Sequence, residues 1–179
     1  MITERTPTAE LPDPFDVEAV MVHCRLEDDP LALGEATRQA QAAALELESY
    51  AALALLDQTI RVTLDGWPRK ATLALPIAPM LDPMSVTVLV DAEPFVDFAV
   101  TSGLRPEIRL TGARPCGVVV IEYQAGFGSL AADIPADLAL AIMDQTATFY
   151  DNRGAGEGKT NGMSPHAARI AARYRRVAL

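Results

Sequence analysis

The spacing of hydrophobic positions along the chain changes period twice. Val17, Val20, Met21, Cys24 and Leu26 recur at helical spacing. Asp13-Pro14 reads as the N-cap and first position of this helix, and Glu27-Asp28-Asp29 as its end. Asp29-Pro30 repeats the start signal for a second helix over residues 30–55. Its buried stripe is small: Leu33, Ala36, Ala40, Ala43, Ala44, Leu47 and Ala51. Alanine lets a partner backbone come close, so this helix is expected to pack tightly against another. Gly34 falls in the first turn, where its cost is low.

The period then drops to two. Thr59-Ile60-Arg61-Val62-Thr63-Leu64 alternates polar and apolar residues, and Asp65-Gly66 turns the chain. Ala71-Thr72-Leu73-Ala74-Leu75 predicts a second strand, ended by Pro76 and Pro79, and Val86-Thr87-Val88-Leu89-Val90 a third. Phe95, Phe98 and Val100 suggest an irregular fourth. Glu107-Ile108-Arg109-Leu110-Thr111 alternates again, and Gly117-Val118-Val119-Val120-Ile121-Glu122-Tyr123 is an apolar run expected to be central. Short strands with turn signals between them indicate an antiparallel sandwich or small barrel.

Helical spacing resumes at Ile134, with Asp133 and Pro135 as cap and first position. Leu138, Leu140, Ile142, Met143, Phe149 and Tyr150 cover most of the circumference, leaving Asp137, Asp144 and Thr148 as a narrow polar strip. A helix apolar on most sides is buried on more than one side, which leaves room for contact with another subunit. A glycine-rich stretch follows, and Ser164-Pro165 starts a last short helix with apolar Ala167, Ile170, Ala171 and Tyr174 and basic Arg169, Arg173, Arg175 and Arg176. The pattern therefore predicts an α+β protein. An N-terminal helix pair and a third long helix form a helical bundle, with an inserted antiparallel β-sandwich or barrel module and a C-terminal tail helix. The expected divisions are a flexible arm over residues 1–13 and a body over 14–153, with helices over about 14–55 and 134–151 and the β-module over about 56–126. A linker over 154–163 and a basic tail over 164–179 complete the chain.

Composition narrows the function. Half of the 179 residues are hydrophobic and 22% are charged, so a packed core is available and wholesale disorder is not expected. No apolar run is long enough to span a bilayer, and residues 1–10 lack the order of a signal peptide. A soluble protein made in the cytoplasm is expected, with no membrane contact. Cys24 and Cys116 stand apart from each other and from any Cys/His cluster, so reduced, buried thiols and no metal are expected. The net charge of −9 is uneven: residues 1–150 hold 22 acidic and 9 basic side chains, residues 151–179 hold 2 and 6. An acidic body with a basic tail suggests two surfaces with different partners.

Candidate chemistry is sparse. Gly156-Glu157-Gly158-Lys159-Thr160 ends like a phosphate-binding P-loop, but Arg153 stands where the first glycine belongs. A helix rather than a strand precedes it, and Asn161-Gly162 and Pro165 interrupt any helix after it. His23 is next to Cys24, but adjacent helical residues point in different directions, which disfavours a catalytic pair. His166 is expected on the surface of the last helix. No serine has a G-x-S-x-G setting. Glu27-Asp28-Asp29 and Asp91/Glu93 lack the spacing and central glycine of a calcium loop. The residues thus predict no catalytic site, no cofactor and no metal. The tail arginines suit phosphate or an acidic protein groove.

The order and spelling of the segments resemble the head–tail connector (adaptor) proteins of long-tailed phages and gene transfer agents. Val17-Glu18-Ala19-Val20 leading into His23-Cys24-Arg25-Leu26-Glu27-Asp28-Asp29 is similar to that family's opening helix, H-x-R-[LI] and acidic turn before an Ala- and Glu-rich helix. Leu75-Pro76-Ile77-Ala78-Pro79 resembles its LPxxP element, and Ser85-Val86 with Asp91 its SVxxxxD strand. Val120-Ile121-Glu122-Tyr123-Gln124-Ala125-Gly126 looks like its V-x-Y-x-A-G segment. Ile134-Pro135-Ala136-Asp137-Leu138 and Tyr150-Asp151-Asn152-Arg153 resemble its IPxxL helix and YxxR ending. The motifs span about residues 14–153, and their common order carries the resemblance.

The resemblance implies a non-enzymatic structural protein of the particle neck. Such adaptors form a homo-oligomeric ring, usually of twelve, beneath the portal protein. The ring extends the channel through which DNA passes without sequence-specific binding, and it carries the stopper and tail. The C-terminal segment would dock on the portal through Arg169, Ile170, Arg173, Tyr174, Arg175, Arg176, Val177 and Leu179. An acidic body suits that channel, because negative walls do not hold phosphates. The alternatives are another neck protein (a stopper or tail-completion protein) and a small soluble enzyme with an unrecognised site.

Overall fold

The computed structural model describes residues 1–7, 11–26, 30–152 and 162–175. It is an α+β structure of two compact units, each built from two stretches of chain. One comprises Met1–Leu11 and Leu56–Phe127, the other Pro12–Leu55 and Gly128–Leu179.

The first unit holds every described strand, all paired antiparallel. Five of them, β1 (Ile2–Pro7), β2 (Gln58–Leu64), β4 (Thr87–Val90), β5 (Glu93–Pro94) and β8 (Val119–Ala125), form one sheet in the order β1-β2-β8-β4-β5. The other three, β3 (Thr72–Ala74), β6 (Phe98–Thr101) and β7 (Glu107–Leu110), form a second in the order β3-β7-β6. Neither sheet closes on itself, so the barrel expected as one alternative does not form. The period-two pattern explains the register of the central pair. Ile60, Val62 and Leu64 lie opposite Tyr123, Ile121 and Val119 and bury together, while Arg61 and Glu122 meet on the other face with 3.4 Å between charged atoms.

β1 corrects the expectation of a flexible arm over residues 1–13. All six of its residues are exposed, so no buried alternation marks it in the sequence. The outer edge of β2 makes it a strand, because its backbone groups pair from Ile2↔Thr63 to Pro7↔Gln58.

Two residues of the Val120–Gly126 segment have identifiable work. The Tyr123 hydroxyl accepts from the Ile77 amide and donates to the Ile77 carbonyl, both at 3.0 Å, which ties the loop after β3 to the sheet. Burial raises its pKa, so it stays protonated. At Gly126 a Cβ would stand 2.7 Å from the Leu56–Asp57 backbone, with φ at +149°, so glycine is required where the chain enters and leaves the unit.

The second unit is helical. α1 is Val17–His23, α2 Pro30–Ala51, α3 Ala136–Asn152 and α4 Pro165–Tyr174. α1 packs on α2 and α3, α3 on α2, and α4 on both α2 and α3. Ala36, Ala40, Ala43, Ala44, Leu47 and Ala51 of α2 are buried as their spacing predicts. Leu33, assigned to the same stripe, is instead 39% exposed.

The helix ends differ from the sequence reading for local reasons. α1 is capped by Asp16, whose side chain accepts from Glu18 and Ala19, whereas Asp13 accepts from Gln41 on α2. α2 stops at Ala51, not near Leu55, because Ala52 takes a left-handed conformation (φ 56°). Glu48 then receives Leu53 on its carbonyl and Leu55 on its side chain. Asp133 closes a 3-10 turn, Ala131–Asp133, by accepting from Leu130, and α3 begins only at Ala136. The expected cap Asp29 lies outside the described residues.

Replacing Tyr123 by Phe leaves two buried backbone groups of Ile77 without their partner. Urea unfolding is expected to show a loss of about 1–3 kcal/mol with an unchanged slope. Wild-type stability in that variant would remove the hydroxyl from any part in holding the loop.

Candidate functional site

The basic tail is the feature that sequence reading singles out, and it is a folded helix on the surface of its own unit. Ser164 caps α4 by accepting from the Ala167 amide, with Pro165 at the first position, as the sequence predicts. Ala167, Ile170 and Ala171 are buried, and Ile170 is 2% exposed.

The polar strip of α3 receives this helix. Asp137 and Asp144 are seven residues apart, and so are Arg173 and His166. The pairs meet in reversed order, so the two helices run antiparallel. His166 Nδ1 contacts Asp144, and Arg173 stands 3.6 Å from Asp137. The Tyr174 hydroxyl donates to Asp137 at 2.7 Å. Partial burial first, and the Asp137 carboxylate second, push the Tyr174 phenol up to about 12. His23, at the end of α1, reaches the other oxygen of Asp144 at 3.0 Å, so both histidines of the chain converge on one carboxylate.

A buried amide completes the seat. Gln145 is fully buried, donates to Glu46 of α2 at 2.9 Å and accepts from the Ser164 amide at 2.6 Å. Partial burial raises the Glu46 pKa, and the Gln145 hydrogen bond opposes that rise. At the other end of α4 the Arg175 guanidinium lies 5.3 Å from the centre of the Tyr50 ring on α2.

The structure thus sorts the expected docking residues. Arg169, Arg173 and Arg175 are exposed, Tyr174 is half-buried and Ile170 faces the unit's own core. Arg176, Val177 and Leu179 lie outside the described residues. Sequence reading missed Glu46, Gln145 and the receiving role of Asp137 and Asp144. The matched seven-residue spacing was their one signal.

Other candidates take their places. His166 lies on the last helix with a partly exposed side chain, and it contacts Asp144. His23 points to Asp144, and the Cys24 thiol is held up in pKa by burial and then by Asp151, which disfavours a thiolate nucleophile. Both cysteines are free, but Cys24 is half-buried and Cys116 exposed, which corrects the expectation of buried thiols. The P-loop-like Gly156–Thr160 stretch lies outside the described residues. Among the described residues, no group of three or more His, Cys, Asp or Glu is arranged to hold a metal ion. No helix among them is long and apolar enough to cross a membrane.

No protein-family model matches the chain, and no curated protein matches it. Solved structures do. One similar chain is in the neck of an empty gene transfer agent particle computed with C6 symmetry, at 26% identity and a TM-score of 0.78. Another is in the neck of a native gene transfer agent particle computed with C12 symmetry, at 25% and 0.73. A third, in the virion of a native gene transfer agent particle, shares the fold at 24% and 0.76. Each comparison covers 100% of this chain and 97% of the other.

Two outcomes test the α4 seat. Ile170→Asp puts a charge into the core, so hydrogen exchange is expected to show residues 165–174 unprotected while β8 stays protected. In an alkaline titration the Tyr174 phenolate is expected to form near pH 12. Asp137→Asn should move that midpoint back toward the ordinary value of about 10, by removing the charge that opposes phenolate. Since this pKa is raised in the folded state, its contribution to α4 docking is present below about pH 10 and lost as pH rises toward 12.

Proposed function

We propose that this chain is a structural protein of the neck of a gene transfer agent or tailed-phage particle, and within the neck the head–tail adaptor. The observation that carries the reading is likeness over the whole chain to neck chains at 25–26% identity. Several copies would close a ring, twelve in the simplest case, as the C6 and C12 symmetries of the similar structures suggest. The ring would sit beneath the portal, extend the DNA channel and carry the stopper or tail. Its task is positional, and no chemical step is assigned to it. DNA would pass through the lumen without sequence-specific contact, which suits a body with 22 acidic and 9 basic side chains over residues 1–150.

The tail remains the proposed portal contact, in a changed form. Ile170 and the Tyr174 hydroxyl are engaged within the unit, so docking would fall to the exposed arginines at 169, 173 and 175 and to the residues beyond. Exposed charges of this kind steer and orient more than they bind.

Labelling the chain in intact particles and imaging them is the direct test: density for the label belongs at the neck, and density on the capsid or tail fibres would reject the reading. Reversing Arg169 to Glu, which keeps the Arg173–Asp137 and Arg175–Tyr50 contacts, should leave the fold intact by circular dichroism and reduce attachment to DNA-filled heads several-fold. Normal attachment of that variant would free the tail of its portal role and leave the neck assignment standing.

A further inference from the structure

The second sheet gathers cations at one end. Arg69 and Lys70 lead into β3, where Thr72 lies directly across from Arg109 of β7. The Leu110 amide donates to the Ala71 carbonyl one step further on, which places Lys70 and Arg69 beside the chain that leaves β7. That chain brings in Arg114, whose guanidinium donates to the Arg69 carbonyl. The buried Trp67 indole donates to the Lys70 carbonyl at 3.2 Å. Backbone carbonyls thus fix the turn before β3, and all four cationic residues are exposed.

Like charges gathered on one sheet end repel one another, and the usual remedy is a carboxylate. Here none is in place: none of the four forms an ion pair with any described residue. Asp65 and Asp97 come from neighbouring loops, but Asp97 turns its carboxylate to Gly112, where a Cβ would stand 2.9 Å from it. In a chain of net charge −9, cations left together without acids form a binding surface for an anion. A protein partner would find no anchor there. The exposed residues that flank the four along the chain and across the sheet are Ala71, Ala99, Thr111, Gly112 and Ala113, with no aromatic or large aliphatic side chain among them. A polyphosphate backbone needs no such anchor. It needs cations, room to approach and hydroxyl donors, which Thr72 on the Arg109 face and Thr111 supply.

We propose that Arg69, Lys70, Arg109 and Arg114 form a sequence-independent binding surface for the phosphate backbone of duplex DNA. The inference rests on the neck reading, in which DNA passes this protein, and deepens it by giving the duplex one point of hold on an acidic body. Phosphate contacts carry no sequence information, so the surface suits passage of any DNA.

Fluorescence anisotropy of the full chain with a labelled duplex of arbitrary sequence, over a salt series, tests it. The wild type is expected to bind at low salt and to lose affinity as salt rises. Lys70→Gln/Arg109→Gln removes two phosphate contacts. It should weaken binding about tenfold and flatten the slope of log affinity against log salt by about 0.9 per cation removed. Neither side chain makes an ion pair among the described residues, so circular dichroism should show an unchanged fold. Arg105→Gln, before the opposite end of β7, should bind as the wild type does. A wild type that does not bind, or a double variant that binds with wild-type affinity, overturns the surface. Equal loss in Arg105→Gln would reduce the effect to overall charge and overturn it too. A double variant that binds DNA normally but fails to join its neighbours in particles would make an acidic protein the occupant, with the same result. Particle labelling answers for the neck assignment separately, so a chain located at the neck without DNA affinity would lose only this surface.

Discussion

A helix with apolar side chains around most of its circumference is not stable in water with a single face covered, and α3 is such a helix. The rest of the helical unit can be understood as its cover. α2 approaches it with a stripe of alanines, α1 closes another side, and α4 lies along its acidic strip. The strip decides the direction and register of α4, because two carboxylates seven residues apart meet a histidine and an arginine at the same spacing. The apolar burial of Ala167, Ile170 and Ala171 supplies attraction, and the polar contacts supply position.

This arrangement changes the meaning of the basic tail. Four arginines on a short helix suggest a free peptide awaiting a partner, since about ten isolated residues do not hold a helix in water. Here the missing burial comes from the unit itself, and Gln145 fixes the start of α4 by accepting from Ser164 while donating to Glu46. Docking of the tail on another protein would therefore be contact by an already ordered helix. Its ordering entropy is spent in folding rather than in assembly, which favours a repetitive structure whose subunits must meet in one geometry.

The β-unit follows a different constraint. A strand pair with one buried face needs its outer edges covered, and β2 obtains that cover from a segment more than fifty residues away in sequence. The same unit keeps its loops in place through single groups, such as the Tyr123 hydroxyl on both backbone groups of Ile77. Such groups hold a loop in place without a large core beneath it.

What the sequence determined by itself was the set of elements with a buried face. The alternation of Ile60, Val62 and Leu64 and the alanine stripe of α2 are local patterns, and local periodicity is enough to show which side of an element leaves water. Only tertiary structure decided which partners those faces and charges would meet. β1 has no buried face and is a strand only because an edge was free. His23 and His166 stand far apart in sequence and share Asp144 only because three helices bring them there. Leu33 belongs to the α2 stripe by spacing, but it lies beside a groove at the hairpin tip and stays partly in solvent. Periodicity acts within one turn or one pleat, whereas a free edge, a matched charge or an open groove is a relation between segments that folding alone brings together.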